Sequence, residues 1–361
     1  MKKGLYLIFS DINQVEPDGI EKKMMAQLQM FREIGIDMHF ERLEYKYGTD
    51  WNYKNIYSQS DFIYFRKETV VDWRMIAFLR KIKKQSHAMV FMEIPTYPYD
   101  GEFGNSIRSK LTLSIDHYFR RQLYKYIDRI VVTGCDDNNI LWGIKTVNVV
   151  NGIDLKNVPV RKYQFHNDGL NLACVAKFSP WHGYERIILG LNDYYRSKEI
   201  KIDVNLLMVG EGVEKAYYQS LVEKCGLENH VRFLGKLTGE KLENIYDITD
   251  VGVCSLGRYK SGINMIGDLK SRDFMAKGIP MICGCQIDVL YNWDYDYAMF
   301  VPNDNTKIDI AKVVRFYEGL LSKMTVEDIS QNIRREAEKL IDYTITYKPV
   351  LSNAKELLWN T

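Results

Sequence analysis

The stretch Asp268-Leu-Lys-Ser-Arg-Asp-Phe-Met-Ala-Lys-Gly-Ile-Pro280 decides the fold. An apolar run at 251–254 and a polar, glycine-containing loop precede it, and a second apolar run begins at Pro280. Residues 268–277 are predicted to form a helix that Gly278 and Pro280 end. A strand, a helix and a strand in this order make one βαβ unit of a parallel sheet.

The same alternation of short apolar runs and longer amphipathic stretches extends from residue 5 and restarts near residue 172. Between the two halves lie the turn residues 151–154 and a polar stretch, 156–168, without either periodicity, which indicates an interdomain linker. We therefore predict an α/β protein with two Rossmann-like domains, at 1–158 and 159–340. The helical segments after residue 308 bring no third core.

Composition narrows the function classes. A chain of 361 residues suits two domains, and its net charge of +2 argues against a dedicated nucleic-acid binder. The six cysteines show no paired metal spacing, which favours a reducing compartment. No apolar stretch approaches the ~20 residues that span a bilayer, and residues 1–10 are predicted to be a strand rather than a signal peptide. We expect a protein that is soluble or peripheral on a membrane.

Ligands of open α/β sheets bind beyond the carboxyl ends of the strands, so the loops there are the candidate sites. In the first half, Gly19 opens a helix where backbone amides are free, although a plain helix start explains it equally well. The loop 93–102 carries Glu93, Tyr97 and Tyr99, and two prolines stiffen it. Tyrosine faces and carboxylates suit sugar binding, and the alternative is an ordered loop whose aromatic side chains close the core.

In the second half, the segment 176–186 offers Lys177, His182 and the amides of a helix start to a diphosphate. The alternative is that Trp181 packs an interface and His182 is a surface residue. The segment 209–213 contains Gly210 and Gly212, which permit close approach to a nucleotide but are also common turn residues.

The helix 268–277 carries Lys270 in its first turn and Asp273 three residues later. A carboxylate there is able to bind both ribose hydroxyls, and a first-turn lysine is able to hold a pyrophosphate and stabilise it as it leaves. The alternative is a surface ion pair between Lys270 and Asp273, worth a few tenths of a kcal/mol.

Taken together, these segments resemble the retaining glycosyltransferases of family 4, which have the GT-B fold, and in particular their bacterial capsular and exopolysaccharide members. The resemblance covers nearly the whole chain and rests on the order and spacing of seven segments. They are 18–21, 93–99, 149–154, 181–186, 209–212, 231–235 and 269–280.

The resemblance implies two Rossmann-like domains that face each other across a cleft, with a C-terminal helix at 341–361 that crosses back to the first domain. It places the acceptor in domain 1–158 and the nucleotide sugar in domain 159–340. The predicted catalytic residues are Lys177 and Lys270. The predicted donor-binding residues are His182, Gly210, Glu211, Gly212, Leu234, Gly235, Arg258, Lys260, Leu269 and Asp273. The predicted acceptor-side residues are Gly19, Glu93, Tyr97 and Tyr99.

The chain departs from the family pattern at several positions, one of which is the reduction of the usual paired glycines after the first strand to Asp18-Gly19. Lys177 stands where an arginine usually clamps the diphosphate, and His182 stands where a lysine usually does. Asp273 matches the second of the family's two acids, but the first position falls on Met265. We expect Arg258, Lys260 and the backbone of 263–267 to replace it.

The implied reaction is a metal-independent transfer of a hexose-type sugar, with retention, from a nucleoside diphosphate to a saccharide hydroxyl, with UDP as the expected nucleotide carrier and no cofactor. The departing phosphate itself helps to deprotonate the acceptor. The two carboxylates of Asp294-Tyr-Asp296 have a spacing that would allow them to bind a divalent cation. The segment lies outside the resembling motifs, so we favour a solvated loop without a metal.

Two other functions stay open: a non-catalytic GT-B partner subunit and a sugar-nucleotide epimerase. Peripheral membrane contact is a further hypothesis, which would suit a lipid-linked acceptor, with solvated helix faces as its alternative. It rests on basic residues at 74, 80, 81, 83 and 84 and at 108, 110, 120, 121 and 125. The expected location is the cytoplasm, either free or on the inner face of the membrane.

Overall fold

The computed structural model describes residues 1–8, 19–42, 59–67, 70–95, 97–100, 103, 106–133, 139–166, 169–197 and 202–359. The chain forms two compact units. Unit 1 contains Met1–Asn151 and Tyr343–Thr361, and unit 2 contains Gly152–Asp342. The sequence-based boundaries lie at 158/159 and 340/341, and the roles assigned to those two domains remain predictions.

Strands and helices alternate in both units, as the sequence rhythm predicts. The strands are β1 Lys2–Ile8, β2 Ile36–Arg42, β3 Phe62–Arg66, β4 Met89–Ile94, β5 Arg129–Thr133, β6 Ile140–Leu141, β7 Ile144–Val149, β8 Leu170–Val175, β9 Val204–Val209, β10 Val231–Gly235, β11 Val251–Val253, β12 Met265–Ile266, β13 Met281–Cys283, β14 Gln286–Ile287 and β15 Ala298–Phe300. The helices are α1 Gly19–Glu33, α2 Trp73–Gln85, α3 Ile107–Arg120, α4 Glu185–Arg196, α5 Lys215–Cys225, α6 Gly239–Asp247, α7 Leu269–Lys277, α8 Ile310–Leu321, α9 Val326–Leu340, α10 Tyr343–Thr346 and α11 Lys348–Trp359.

Unit 1 is built on one sheet in the order β2-β1-β3-β4-β5-β7-β6. All of its neighbouring strands pair in parallel except β6 and β7. The central strands are continuous apolar runs, buried along their length, because helices cover both faces of a parallel sheet. The chain returns to this unit at its end, where Val350, Ala354 and Leu358 of α11 join the core around Phe31 and Phe62.

Unit 2 contains a six-stranded parallel sheet in the order β10-β9-β8-β11-β13-β15. From β8 the chain builds β9 and β10 on one side and then crosses to β11 on the other. Such a reversal opens a crevice beyond the carboxyl ends of the two strands that flank it. The loops after β8 and β11 therefore lie where a ligand is expected.

The sequence pattern from about 106 to 126 predicts one long helix in unit 1, but α3 ends at Arg120 and a separate 3-10 turn covers 123–125. The pattern also predicts a short helix after Asp136, which begins in residues that lie outside the described part of the chain, as does Asp18. Within the described residues, no helix combines the length and apolarity needed to cross a bilayer.

Candidate functional site

The loops that follow β8 and β11 meet at the carboxyl edge of the unit 2 sheet. The Leu256 amide donates a 2.7 Å hydrogen bond to the His182 carbonyl, which ties the two loops together. Gly183 has φ +62°, and a Cβ placed on it would lie 2.5 Å from the Gly257 nitrogen. Only glycine permits this approach, so the contact between the two loops requires a glycine at position 183.

The loop after β9 lies beside the loop after β8. The Ala176 amide donates to the Val209 carbonyl at 3.0 Å, and the Phe178 amide donates to the Glu211 carbonyl at 2.7 Å. Gly210 has φ +138°, and a Cβ there would lie only 1.8 Å from the Ala176 oxygen. The structure therefore brings together the predicted segments 176–186 and 209–213.

The helix α7 presents its N-terminus to the same region. Asp268 is its N-cap, and its Oδ1 accepts a 3.1 Å hydrogen bond from the Ser271 amide. The ammonium of Lys270, in the first turn, lies 3.3 Å from Asp268 Oδ2. Lys270 thus pairs with Asp268, and not with Asp273 as the surface-pair alternative proposed.

His182 is buried against this lysine. Its Nδ1 accepts a 3.0 Å hydrogen bond from the Ser179 amide, and its Nε2 lies 3.3 Å from the Lys270 ammonium. Burial, followed by the positive charges of Lys270 and Arg258, lowers the pKa of His182 to about 2. The ring is therefore neutral, and because Nδ1 accepts from an amide, its proton lies on Nε2.

The Nε2–H of His182 and the Lys270 ammonium are both donors, so neither can accept from the other. The carboxylate of Asp268 lies beside the lysine, and its Oδ2 makes no hydrogen bond within the described part of the chain. Burial raises the pKa of Asp268, but Lys270, the Ser271 hydrogen bonds and Arg272 outweigh burial and lower it to about 2. An anion that bridges the two donors would satisfy both, beside the N-terminus of α7.

The two basic residues expected to replace the missing acid at Met265 differ in their contacts. Lys260 donates to Glu185 Oε1 at 2.5 Å and to the Pro180 carbonyl at 3.1 Å. The Arg258 guanidinium lies 5.8 Å from the Trp181 ring. Met265 itself is in β12, whose partner is β14. Lys260 thus binds a carboxylate, and Arg258 lies near His182.

The other predicted donor-side residues lie around this centre. Lys177 is exposed directly after β8. Glu211 is exposed, and its carboxylate pairs with Lys215 at 2.7 Å. Gly235 at the end of β10 accepts from the Gly210 amide at 2.7 Å, next to Leu234. Leu269 and Asp273 lie on α7 and are partly buried.

Two residues of this region are missing from the sequence-based prediction. Asp268 was assigned no role, although an aspartate three residues before Ser271 at a helix start is an N-cap signal. The buried guanidinium of Arg186 donates to the carbonyls of Thr306 at 2.6 Å and Pro302 at 2.9 Å, and also to that of Leu256. No local sequence pattern predicts the role of Arg186, because its partners lie 70 to 120 residues away.

In unit 1, Glu93 at the end of β4 is completely buried. Its Oε1 accepts from the Lys23 ammonium at 2.8 Å and from Arg66 at 2.9 Å. Its Oε2 accepts from Gln27 at 2.9 Å and from the Tyr64 hydroxyl at 2.5 Å. Four donors saturate this carboxylate, so the geometry does not support direct contact between Glu93 and an acceptor sugar.

The tyrosines of the same loop also face inward. The hydroxyl of Tyr99 donates to Asp116 Oδ2 at 2.7 Å, and its ring joins the core of unit 1, with Tyr97 packed against that core. These positions favour the alternative in which the aromatic side chains close the core. Gly19 is the first residue of α1.

Among the residues that the structure describes, no group of three or more histidine, cysteine, aspartate or glutamate side chains is placed to hold a metal ion. Asp294 and Asp296 are exposed on either side of the buried Tyr295.

Comparison with known proteins links this edge to a class of enzymes. Residues 160–266, which contain the loops after β8, β9 and β11, match the family model described as "Glycosyl transferases group 1". None of the curated protein sequences matches the chain.

Several solved structures resemble the whole chain. Sucrose-phosphate synthase from Thermosynechococcus elongatus is 13% identical, with a TM-score of 0.68 and full coverage of both chains. A glycosyltransferase from Rickettsia africae is 12% identical, with a TM-score of 0.69, over 100% of this chain and 99% of its own. HepE from Anabaena, solved in complex with UDP, is 13% identical with a TM-score of 0.64, over 99% of this chain and 100% of its own. The GT-B fold predicted from the sequence is confirmed.

Proposed function

We propose that this chain is a glycosyltransferase that binds a nucleoside-diphosphate sugar at the carboxyl edge of the unit 2 sheet and transfers the sugar to a saccharide hydroxyl. The observation that carries the proposal is the convergence of the His182 Nε2–H and the Lys270 ammonium, 3.3 Å apart, beside the N-terminus of α7. The matching family model covers the loops after β8, β9 and β11 and ends before α7.

The chemistry required at such an edge is stabilisation of a departing diphosphate. Lys270 and the exposed Lys177 supply positive charge, and the neutral His182 supplies a hydrogen-bond donor instead of the charge that a lysine would bring. Preorganised donors of this kind act most strongly where negative charge develops, that is, on the leaving phosphate.

We assign the remaining donor contacts to the other predicted residues. Asp273, on α7, orients the ribose through its carboxylate. The glycine backbone at 210–212, with Glu211, lies near the donor, and Leu234, Gly235 and Leu269 line the base side. Arg258, near Trp181, and Lys260, which also binds Glu185, are the candidates to contact the donor sugar in place of an acid at Met265.

The finer features of the proposal rest on the sequence resemblance. They are membership of family 4, retention of configuration, a hexose-type sugar carried by UDP, no metal or cofactor, and a role in bacterial surface polysaccharide or glycoconjugate synthesis. The UDP bound to the Anabaena relative supports that choice of nucleotide. We place the chain in the cytoplasm, in contact with the inner face of the membrane and acting on a lipid-linked saccharide.

The direct test is to incubate the protein with a panel of nucleotide sugars, with and without saccharide acceptors, and to follow both nucleotide release and glycoside formation. We expect UDP release that an acceptor accelerates, and a product with the anomeric configuration of the donor. Activity should persist in EDTA, because the proposed leaving-group stabilisation comes from Lys177 and Lys270.

Two results would contradict the proposal in different ways. Conversion of the free nucleotide sugar to an isomer without acceptor would identify an epimerase. Nucleotide binding without any release of UDP across the donor panel would identify a non-catalytic partner subunit.

A further inference from the structure

The outward face of α3 carries an apolar stripe. Ile107, Leu111, Ile115 and Tyr118 follow one another at spacings of four, four and three residues, so they lie on one side of the helix. Their exposed fractions are 88%, 62%, 39% and 67%, and Tyr124, just beyond the helix, is 56% exposed. Contiguous apolar surface of this kind on a folded protein marks an interaction site.

The opposite face of α3 fixes this orientation. Asp116 is completely buried, where its Oδ1 accepts from the Val71 amide at 2.7 Å and its Oδ2 from the Tyr99 hydroxyl at 2.7 Å. Arg120, one turn further on, donates to Asp100 at 2.8 Å. These bonds anchor the helix through its polar side, so the apolar stripe cannot turn inward without breaking them.

Basic residues flank the stripe on both sides. At 100° per residue, Arg108 lies beyond one border of the stripe, and Lys110 and Arg121 lie beyond the other. These three side chains are exposed, as is Lys125 next to Tyr124. Asp116 is the only acidic residue in the sequence from 106 to 125, and it is buried. The exposed face therefore combines an apolar centre with positive borders.

We propose that this face of α3 docks on an anionic lipid bilayer, with the helix lying in the interface and the stripe inserted among the headgroups. An apolar centre with basic borders is the pattern of helices that lie in this position. The inference deepens the membrane contact in the proposed function and assigns it to one surface and to one class of lipid.

Charge decides between a bilayer and a second copy of the chain. Pairing two copies through this stripe would bring Lys110, Arg121 and Arg108 of both molecules together, with no exposed carboxylate on the segment to neutralise them. An anionic surface instead attracts every one of these residues, and each contributes roughly fivefold to partitioning.

The test is sedimentation of the full chain with vesicles of phosphatidylcholine alone or of phosphatidylcholine mixed with phosphatidylglycerol. We expect binding only to the anionic vesicles. The pair Lys110→Glu and Arg121→Glu should lower partitioning at least about tenfold. Leu111→Ser with Tyr118→Ser should lower it about as much, through the lost apolar area.

Matched controls lie in unit 2. Lys323→Glu reverses an exposed charge, and Phe165→Ser removes an apolar side chain that is 82% exposed. Both should bind vesicles like the wild type. Thermal unfolding of all variants checks that the fold is retained, as expected for substitutions at side chains that are 62% and 67% exposed.

Equal sedimentation of the wild type and both α3 double variants would overturn the proposal, and so would equal binding to neutral vesicles. A wild-type dimer in analytical ultracentrifugation that Leu111→Ser with Tyr118→Ser converts to monomer, without vesicle binding, would assign the stripe to a second copy instead. Nucleotide binding by the same samples separates the two proposals, because it is expected to be unchanged in every α3 variant.

Discussion

The two units use charge at the carboxyl edges of their sheets in opposite ways. In unit 1, Glu93 is enclosed by Lys23, Arg66, Gln27 and Tyr64, so that every oxygen has its donors. In unit 2, the Nε2–H of His182 and the Lys270 ammonium are both donors and lie 3.3 Å apart beside the Asp268 carboxylate. The first arrangement is complete in itself, whereas the second would be completed by an anion that bridges the two donors.

This difference teaches that a buried charge cluster at a strand end need not be a binding site. The deciding feature is whether the donors and acceptors of the cluster satisfy one another. Glu93 was predicted to face the acceptor because of its position, yet its neighbours use up its bonding capacity. The unit 2 cluster places two donors side by side, an arrangement that suits a diphosphate.

The largest effect on stability should come from breaking the cluster around Glu93 in unit 1, called the closed cluster. Glu93→Ala removes the buried carboxylate that binds Lys23 and Arg66, which should cost about 3–5 kcal/mol of unfolding free energy. Urea unfolding measures this loss, with the exposed Glu356→Ala as a control that should change stability little. A loss below about 1 kcal/mol for Glu93→Ala would show that the cluster is not the closed network described.

The same cluster should make the stability of the fold depend on pH in the acid range. Burial raises the pKa of Glu93, but Lys23, Arg66 and the hydrogen bonds outweigh burial and lower it from 4.5 to about 2. Because the folded-state pKa is the lower one, the resulting stability is complete above pH 4.5 and is lost as the pH falls towards 2. The contribution is on the order of 3 kcal/mol, and it should be absent from the pH profile of Glu93→Gln.

Substitution in the unit 2 cluster of His182, Lys270 and Asp268, called the open cluster, should change the catalytic activity. Lys270→Met removes the charge beside His182 while keeping the length of the stem, and we expect turnover to fall roughly 10²–10³-fold, as for loss of one donor to a developing charge. Steady-state kinetics measures the effect, and Lys323→Met is the control on an exposed lysine of the same unit. Unchanged turnover in Lys270→Met would remove this lysine from leaving-group stabilisation.

A smaller effect is expected at the nucleotide. Asp273→Ala deletes the carboxylate proposed to bind the ribose, which should weaken UDP affinity about tenfold or more, as for a hydrogen bond to a charged group. Isothermal titration calorimetry gives the affinity. Asp296→Ala, exposed and outside the proposed site, should bind UDP like the wild type. Equal affinities of both variants would move the ribose site away from α7.

The smallest effect is a predicted absence of one. Burial, Lys270 and Arg258 lower the pKa of His182 to about 2, so the ring does not titrate near its usual 6.5. UDP affinity should therefore show no inflection from His182 between about pH 5 and 8. A wild-type inflection near pH 6.5 that His182→Gln abolishes would show that the histidine charges and acts as a cation.

Much of the fold could be predicted from the sequence, because its signals are local. The apolar runs that became β8 and β9, and Gly210 directly after β9, lie within windows of ten to fifteen residues. Gly210 and Gly212 are informative since their close approach to the neighbouring loop excludes any side chain. A local pattern of this kind needs no knowledge of distant partners.

The contacts that define the two clusters could not be predicted in the same way. Glu93 meets Lys23 and Gln27 from 70 and 66 residues away, and His182 meets Lys270 from 88 residues away. A loop sequence with carboxylates and tyrosines looks the same whether its polar groups face a ligand or one another. Only the folded structure shows which donors have hydrogen-bond acceptors within the protein.

The most direct test of the open cluster is thermal unfolding of the protein with uridine, with UDP and with UMP. A ligand that binds the folded state raises the unfolding temperature according to its concentration and affinity. We predict stabilisation in the order UDP, UMP, uridine, and loss of the advantage of UDP over uridine in Lys270→Met. Equal stabilisation by UDP and uridine in the wild type, or none by any of the three, would contradict the claim that this edge binds a diphosphate.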